Sequence, residues 1–389
     1  MRVLVLAPFD LFPPVHGGSS VVYNFVKHAS ARHTIAAVIS RLYSQHGPQD
    51  LFADNLKVIY CPPSPVDRLR VLSFVVNPAY YRTASHACQE IRPQVIQSEI
   101  LWTWPAAWRL RRQYHIPAVW VAHNIEALKY AEMGYPRWLV ALVNRLERFA
   151  CQTADHIITL SQSDRQQLVS MYQVDPGKVT VITPGPDLSV FSFDATARDG
   201  IRARYGLAPD DPLLSFVGNL KYGPNREAAA NIVERIAPAV LRQHPGAHFV
   251  IVGQGSEELN TQGGSHITFT GYVSRSDLVA HLCATDVFLA PIEKGSGIRV
   301  KIPEATACGR AVITTDKGAE GLEAFTSDEL VRVEGAGEEY VAAVLRLLAD
   351  SRLRETLGAR ALARTRQSFG WQANLDLYEE AYAAAGASA

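Results

Sequence analysis

Short apolar runs rich in Val, Ile and Leu alternate with longer helix-periodic stretches from one end of this chain to the other. That alternation is the pattern of parallel α/β architecture, because a parallel strand needs a crossover helix before the next one. In the first half the runs fall at 3–7, 34–40, 56–61, 94–98, 118–122, 156–160 and 179–183. They are almost continuously apolar rather than alternating, as strands covered on both faces must be. The grammar repeats at 213–218, 248–253, 267–270, 287–290 and 311–314, and the stretch 371–385 reads as a last helix.

At 389 residues the chain is about twice the size of one domain. Periodicity lapses between Pro184 and Gly200, around Pro184-Gly185-Pro186. The expected organisation is therefore two Rossmann-like, doubly wound domains facing across a cleft. The first comprises 1–188, joined by the C-terminal helix 371–389, and the second comprises 189–370. Ligands of such sheets bind outside the carboxyl ends of the strands, so loops after strands should carry the chemistry.

The bulk numbers narrow the function classes. With 48% hydrophobic and 20% charged residues the chain has the balance of a soluble globular enzyme. Its net charge of zero argues against nucleic acid as a partner. Residues 1–185 nevertheless carry 18 Lys+Arg against 12 Asp+Glu, leaving 20 against 26 in the remainder. A basic first half suits an anionic acceptor or a membrane surface. The five cysteines, Cys61, Cys88, Cys151, Cys283 and Cys308, lie far apart with no Cys-x-x-Cys pair. They read as thiols in a reducing cytoplasm. The opening apolar run breaks at Pro8 and Asp10, too early for a signal peptide, and no run has the length of a membrane span.

The densest chemistry follows the run at 287–290: Glu293-Lys294-Gly295-Ser296-Gly297-Ile298-Arg299-Val300-Lys301-Ile302-Pro303-Glu304-Ala305. This reads as a glycine loop entering a helix that stops at Gly309. Loop glycines let a backbone approach a ligand, and a helix start offers unpaired N–H groups to a phosphate. Arg299 and Lys301 add two cations beside that anion site, and Glu304 is spaced to accept hydrogen bonds from a ribose diol. In the first half Gly17-Gly18 precedes an apolar-periodic helix, with Ser19 or Ser20 as its N-cap. A glycine pair there can turn backbone amides toward a phosphate or an acceptor. His123 stands just past the run at 118–122.

The order Gly295-x-Gly297-Ile298-Arg299-x-Lys301-Ile302-x-Glu304-Ala305 resembles the donor signature of retaining GT-B glycosyltransferases of family 4. The likeness extends over essentially the whole chain. It takes in Gly17-Gly18, Ala122-His123-Asn124-Ile125-Glu126, Ala154-Asp155-His156 through Ser161 and Asp164, and Pro184-Gly185-x-Asp187. Phe216-Val217-Gly218-Asn219-Leu220, Val252-Gly253-x-Gly255 and Phe269-x-Gly271-Tyr272 continue it. The resemblance implies a nucleotide-sugar donor held by Gly17, Gly18, Gly218, Asn219, Lys221, Gly253, Gly271, Tyr272, Gly295, Ser296, Gly297, Ile298 and Glu304. It implies His123, Arg299 and Lys301 as the groups acting in transfer. Glu126 either orients His123 or binds the acceptor.

Two departures from that pattern stand out. Ser296 occupies the place of a family Glu that holds donor-sugar hydroxyls, leaving that task to backbone N–H groups of 295–297 or to Glu293. Asn219 and Pro224 replace an Arg and a Lys that meet the diphosphate, which assigns that role to Arg299 and Lys301 with Lys221 in reserve. No Asp-x-Asp occurs, so neither a metal nor another cofactor is expected. The family implies retention of configuration, and UDP-glucose is the donor expected by analogy. The acceptor expected on the same ground is a glycan or lipid-linked sugar of bacterial surface polysaccharide or glycolipid synthesis. The protein is expected in the cytoplasm, peripheral at most at the inner face of the membrane; the aromatic and basic segments 101–112 and 135–139 fit core tryptophans with a solvated Arg edge better than an interfacial patch for a lipid-linked acceptor. Rival readings are a non-catalytic nucleotide-sugar-binding partner and a nucleotide-sugar epimerase of the same fold. A dinucleotide oxidoreductase lacks its third glycine at Glu258.

Overall fold

A computed structural model describes residues 1–12, 14, 17–40, 54–65, 77–259, 264–295 and 297–387. The chain divides into two compact units. The first holds Met1–Pro184 and Trp371–Ala389 together with Gly297 and Ile298, and the second holds Gly185–Gly295 and Arg299–Gly370.

Among the described residues the first unit is built on seven strands: β1 (Arg2–Ala7), β2 (Thr34–Ile39), β3 (Leu56–Tyr60), β4 (Val95–Glu99), β5 (Ala118–Ala122), β6 (His156–Thr159) and β7 (Val179–Val181). Its described helices include α1 (Gly17–Ala29), α2 (Pro78–Ile91), α3 (Trp104–Tyr114), α4 (Glu126–Glu132), α5 (Arg137–Thr153) and α6 (Gln162–Tyr172). The strand order is β3-β2-β1-β4-β5-β6-β7, with every pairing parallel. β1, β4 and β5 are buried on both faces apart from Arg2, which explains the unbroken apolar runs of β1 and β5; β4 instead buries Gln97, Ser98 and Glu99. Each fully buried aliphatic side chain there contributes about 1.5–3 kcal/mol.

The second unit repeats the plan with α7 (Ala195–Arg204), β8 (Leu213–Val217), α8 (Gly223–Asn231), α9 (Ala237–Leu241), β9 (His248–Val252), β10 (Ile267–Phe269) and α10 (Arg275–Ala284). β11 (Val287–Ala290), α11 (Lys301–Ala307), β12 (Ala311–Thr315), β13 (Val331–Val333), α12 (Glu338–Ala349) and α13 (Ser351–Ser368) complete it. Its parallel order is β10-β9-β8-β11-β12-β13. Both sheets thus wind outward from a first strand and reverse beside it, at β1/β4 and at β8/β11. That switch point is where doubly wound sheets bind ligands, and both units are Rossmann-like.

The last helix, α14 (Trp371–Ala384), belongs to the first unit. Its Asp376 and Glu379 pair with Arg32 at 2.6 and 3.1 Å. The Tyr378 ring lies 4.5 Å from that of Phe25, and Asn374 Nδ2 donates to the Thr183 carbonyl at 3.0 Å.

Several expectations need correction. Ser19 and Ser20 lie inside α1, which already begins at Gly17, so neither is its N-cap. α7 begins at Ala195, capped by the Asp194 carboxylate, so the stretch without periodicity is shorter than 184–200. β13 was not expected: a three-residue strand is too brief for a period to register. Segment 101–112 follows the core reading and not the interfacial one: Trp102 and Trp104 are buried, Trp104 Nε1 donates to Thr153 Oγ1 at 3.0 Å, and Arg109 and Arg112 are exposed. All five cysteines are free and buried. Among the described residues no helix is long and apolar enough to cross a membrane.

Candidate functional site

In the second unit the expected donor residues gather where β8, β9, β10 and β11 end. Three backbone links stitch the glycine turns together: Gly218 N–H to Val252 O at 2.9 Å, Gly253 N–H to Gly271 O at 3.0 Å, and Leu220 N–H to Gln254 O at 2.8 Å. Gly271 N–H in turn donates to Ser256 Oγ at 2.8 Å. Asn219 Oδ1 accepts from the Lys221 N–H at 2.9 Å, so the side chain in the place of the family Arg braces its own turn. Lys221 and Tyr272 are exposed.

Lys301 opens α11 and reaches back to β8. Its Nζ donates to Asn225 Oδ1 at 2.7 Å and sits 4.4 Å from the centroid of the Phe216 ring. A Cβ at Gly218 would stand 2.9 Å from that Nζ, so only glycine there leaves the ammonium its place. Asn225 Nδ2 donates to the Asn219 carbonyl at 2.9 Å, which fixes the amide with its oxygen toward Lys301. Burial, reinforced by the nearby charge of Arg299, brings the Lys301 ammonium down to about 7, with Glu304 opposing.

Arg299 is buried and donates through Nη2 to the Gly295 carbonyl at 2.7 Å, closing the glycine loop on itself. Gly295 has a φ of +92°, and a Cβ there would meet the Tyr222 hydroxyl at 2.7 Å. Glu304, on the first turn of α11, makes no side-chain hydrogen bond among the described residues. Burial pushes its carboxyl up to about 7, against the pull of Arg275 and Lys301. The second unit thus presents an acceptor without a donor, three residues from an ammonium held by one amide and a ring. Ser296 lies outside the described residues.

The first unit supplies a different arrangement. His123 follows β5 and is 5% exposed; its Nε2 lies 2.7 Å from Glu99 Oε2 at the end of β4. Glu126 does not orient it. The Glu126 carboxylate accepts from Lys129 Nζ at 3.2 Å and from Asn124 Nδ2 at 3.2 Å, and is itself buried. The N–H groups that open α4, those of Glu126 and Ala127, donate to the Glu147 carboxylate at 2.8 and 3.2 Å, joined there by the Tyr172 hydroxyl at 2.7 Å. Burial pushes the Glu147 carboxyl up to about 7 against those three donors. Gly17 and Gly18 form the first turn of α1 rather than a loop before it.

The chain was compared with known proteins. The family described as glycosyltransferase family 4 matches residues 15–190, and that described as glycosyl transferases group 1 matches residues 211–350. The D-inositol 3-phosphate glycosyltransferase of Xylanimonas cellulosilytica is 30% identical over 295 residues, covering 71% of this chain and 69% of that one. This chain belongs to the group 1, family 4 glycosyltransferases. Sucrose-phosphate synthase from Thermosynechococcus elongatus shares the GT-B fold, with a TM-score of 0.81 at 20% identity over 99% of this chain and 100% of the other. Anabaena HepE, solved in complex with UDP-glucose, superposes with a TM-score of 0.73 at 16% identity over 98% and 99%.

In this glycosyltransferase some of the matching landmarks are structural. Ser161 caps α6 by accepting from the Asp164 N–H at 3.0 Å, while its hydroxyl donates to the Asp164 carboxylate at 2.7 Å. Glu293 has partners of its own: it accepts from the Ala336 N–H at 3.0 Å and from Asn231 Nδ2 at 3.3 Å. Residues the sequence did not single out are Asn225, which holds Lys301, and Glu99, which holds His123. Asn225 carries no local signal. Glu99 carried a faint one, a carboxylate closing an apolar run at a strand's carboxyl end.

Proposed function

We propose that this glycosyltransferase transfers a hexose from a nucleoside diphosphate sugar, UDP-glucose being the favoured donor, to a glycan or lipid-linked acceptor with retention of configuration and without a metal. The observation that carries the reading is the pairing on α11: the Lys301 ammonium, held by Asn225 Oδ1 and the Phe216 ring, stands three residues from the Glu304 carboxyl, which has no hydrogen-bond donor among the described residues. A diphosphate satisfies the first and a ribose diol the second. Lys301 and Arg299 then stabilise the charge that develops on the departing diphosphate, and the sequence holds no Asp-x-Asp to recruit a cation for that task. The bond from the anomeric carbon to the diphosphate oxygen breaks as the acceptor oxygen bonds to the same face. The acceptor's proton passes to the leaving phosphate oxygen. His123 hydrogen-bonds a hydroxyl of the reacting sugars.

The acceptor is bound at a membrane surface, in bacterial surface polysaccharide or glycolipid synthesis. Support comes from α5 and the loop before it, where Trp138 is 67% exposed and Leu142, one turn on, 48%, beside Met133 and Tyr135. Arg137 and Arg145 are exposed on the same helix. An aromatic and aliphatic face edged by arginine suits an anionic bilayer. Trp138→Ser/Leu142→Ser should abolish co-sedimentation with phosphatidylglycerol vesicles; equal binding by parent and variant removes the membrane from the proposal.

A donor panel tests the whole reading. Nucleoside diphosphate release with glycan or lipid-linked acceptors, undiminished in EDTA, is the expected result. Binding without release would make the protein a nucleotide-sugar-binding partner instead, and interconversion of free nucleotide sugars would make it an epimerase.

A further inference from the structure

We propose that Glu99 is the positioning residue for His123, fixing its proton on Nε2 and leaving Nδ1 as the nitrogen that accepts a hydroxyl. Gln97 and Tyr382 are the brace that holds Glu99. This rests on the reading that His123 acts in glycosyl transfer.

The placement begins with sheet register. β4 and β5 pair with Gln97 opposite Val119 and Glu99 opposite Val121. Side chains alternate along a strand, so Gln97, Glu99, Val119 and Val121 share one face, and His123, one residue past β5, meets Glu99 there. Their neighbours Ile96, Trp120 and Ala122 fill the apolar core of the other. On the shared face Tyr382, from α14, donates its hydroxyl to Gln97 Oε1. Gln97 Nε2 donates to Glu99 Oε1, and His123 Nε2 meets Glu99 Oε2 at 2.7 Å. Gln97, Glu99 and Tyr382 are each at most 1% exposed.

The direction of this row is forced. The carboxylate accepts only, so the Gln97 amide turns its nitrogen to Glu99 and its oxygen to Tyr382, whose hydroxyl donates to it; the flipped amide would set oxygen against carboxylate. For the same reason the proton between Glu99 and His123 belongs to Nε2. Neutral His123 is then the Nε2–H tautomer, with its lone pair on Nδ1, which makes no hydrogen bond among the described residues. The arrangement orders His123 through a carboxylate, as in a hydrolase triad, where losing the carboxylate leaves the ring in place with the wrong tautomer.

Stability does not explain the row. Burying a carboxylate is expensive, and well-packed apolar side chains in its place are often no less stable. Tyr382 ties the C-terminal helix to the strand that ends at Glu99, so α14 does more than cover the sheet.

The tautomer is read on ligand-free protein by two-bond 15N–1H correlation of the His123 imidazole. The parent should show Nε2–H. Glu99→Gln, with its amide donating to Nε2, should show Nδ1–H at an unchanged melting temperature. Turnover should fall at least about tenfold while KM for the donor stays within twofold. Glu99→Asp should restore the parent tautomer and part of the turnover. Tyr382→Phe, which keeps the ring packing, should shift the imidazole resonances and lower kcat about two- to fivefold. Nδ1–H in the parent, or an unchanged tautomer in folded Glu99→Gln, overturns the proposal, as does full turnover in that variant. Should no donor and acceptor pair be turned over while the tautomer still switches, the positioning stands and the proposed reaction falls.

Discussion

The two units present their polar groups in opposite conditions. Around His123 the hydrogen bonds of the row converge on Glu99, from Tyr382 through Gln97 on one side and from His123 Nε2 on the other. Around α11 the charges are crowded: Lys301 is brought down and Glu304 pushed up, both to about 7, and among the described residues Glu304 accepts from no donor. On the proposed reading, two nearly identical sheet topologies carry one site ordered in advance and one whose electrostatics a ligand completes. Preorganised groups pay off in the transition state, and uncompensated ones in binding. The second unit should therefore govern nucleotide affinity and the first turnover.

The sharpest break of that division is the double variant Arg299→Ala/Lys301→Ala. Two charge-assisted hydrogen bonds at about 1.5–3 kcal/mol each correspond to a loss of about 10²- to 10⁴-fold in diphosphate affinity. Affinity for the free nucleoside should change far less. Calorimetry with UDP and uridine reads both; equal losses would make the two cations structural, as the Arg299 contact with the Gly295 carbonyl by itself would allow.

His123→Ala tests the other side. Turnover should fall about 10²-fold, in the range for loss of a positioned hydrogen-bonding or proton-handling group, with UDP affinity within a few fold of the parent. A histidine that serves only packing predicts a lower melting temperature and near-normal turnover per folded molecule. Both quantities come from one sample.

How far the sequence reveals this division follows from which interactions are local. The strands were legible because burial on both faces writes an unbroken apolar run, as in β1 and β5. The spacing Gly295, Arg299, Lys301, Glu304 was legible because one loop and one helical turn hold it. The partners were not. Asn225 is 76 residues from Lys301, Glu99 is 24 from His123, and Tyr382 is 285 from Gln97. Only sheet pairing and helix packing bring them together. Glu126 misled because it lies near His123 in sequence, yet it opens α4 and turns to Lys129.

Glu304→Gln should have a smaller effect. The amide keeps an acceptor oxygen but loses the charge, so one hydrogen bond to the ribose weakens by about 1.5 kcal/mol and UDP affinity falls about tenfold. The same variant should leave 2′,3′-dideoxy-UDP affinity nearly unchanged. A like loss for both nucleotides would detach Glu304 from the ribose.

The smallest effect is the dependence of donor affinity on pH. Lys301 must be protonated to meet a diphosphate, and its pKa of about 7 means that protonation is lost as pH rises past neutrality. Glu304 must be ionised to accept from the ribose at full strength, and with its carboxyl also at about 7 that is lost as pH falls. The two limbs oppose each other, so affinity should peak near pH 7 and fall about threefold one unit to either side. A nucleotide sugar is the right probe, because its diphosphate is esterified at both ends and keeps its charge throughout. Lys301→Arg should flatten the alkaline limb, since a guanidinium does not titrate in this range, and Glu304→Gln should flatten the acid limb. If both limbs survive in both variants, the titrating groups lie elsewhere, and the crowded charge on α11 is not what sets the second unit apart.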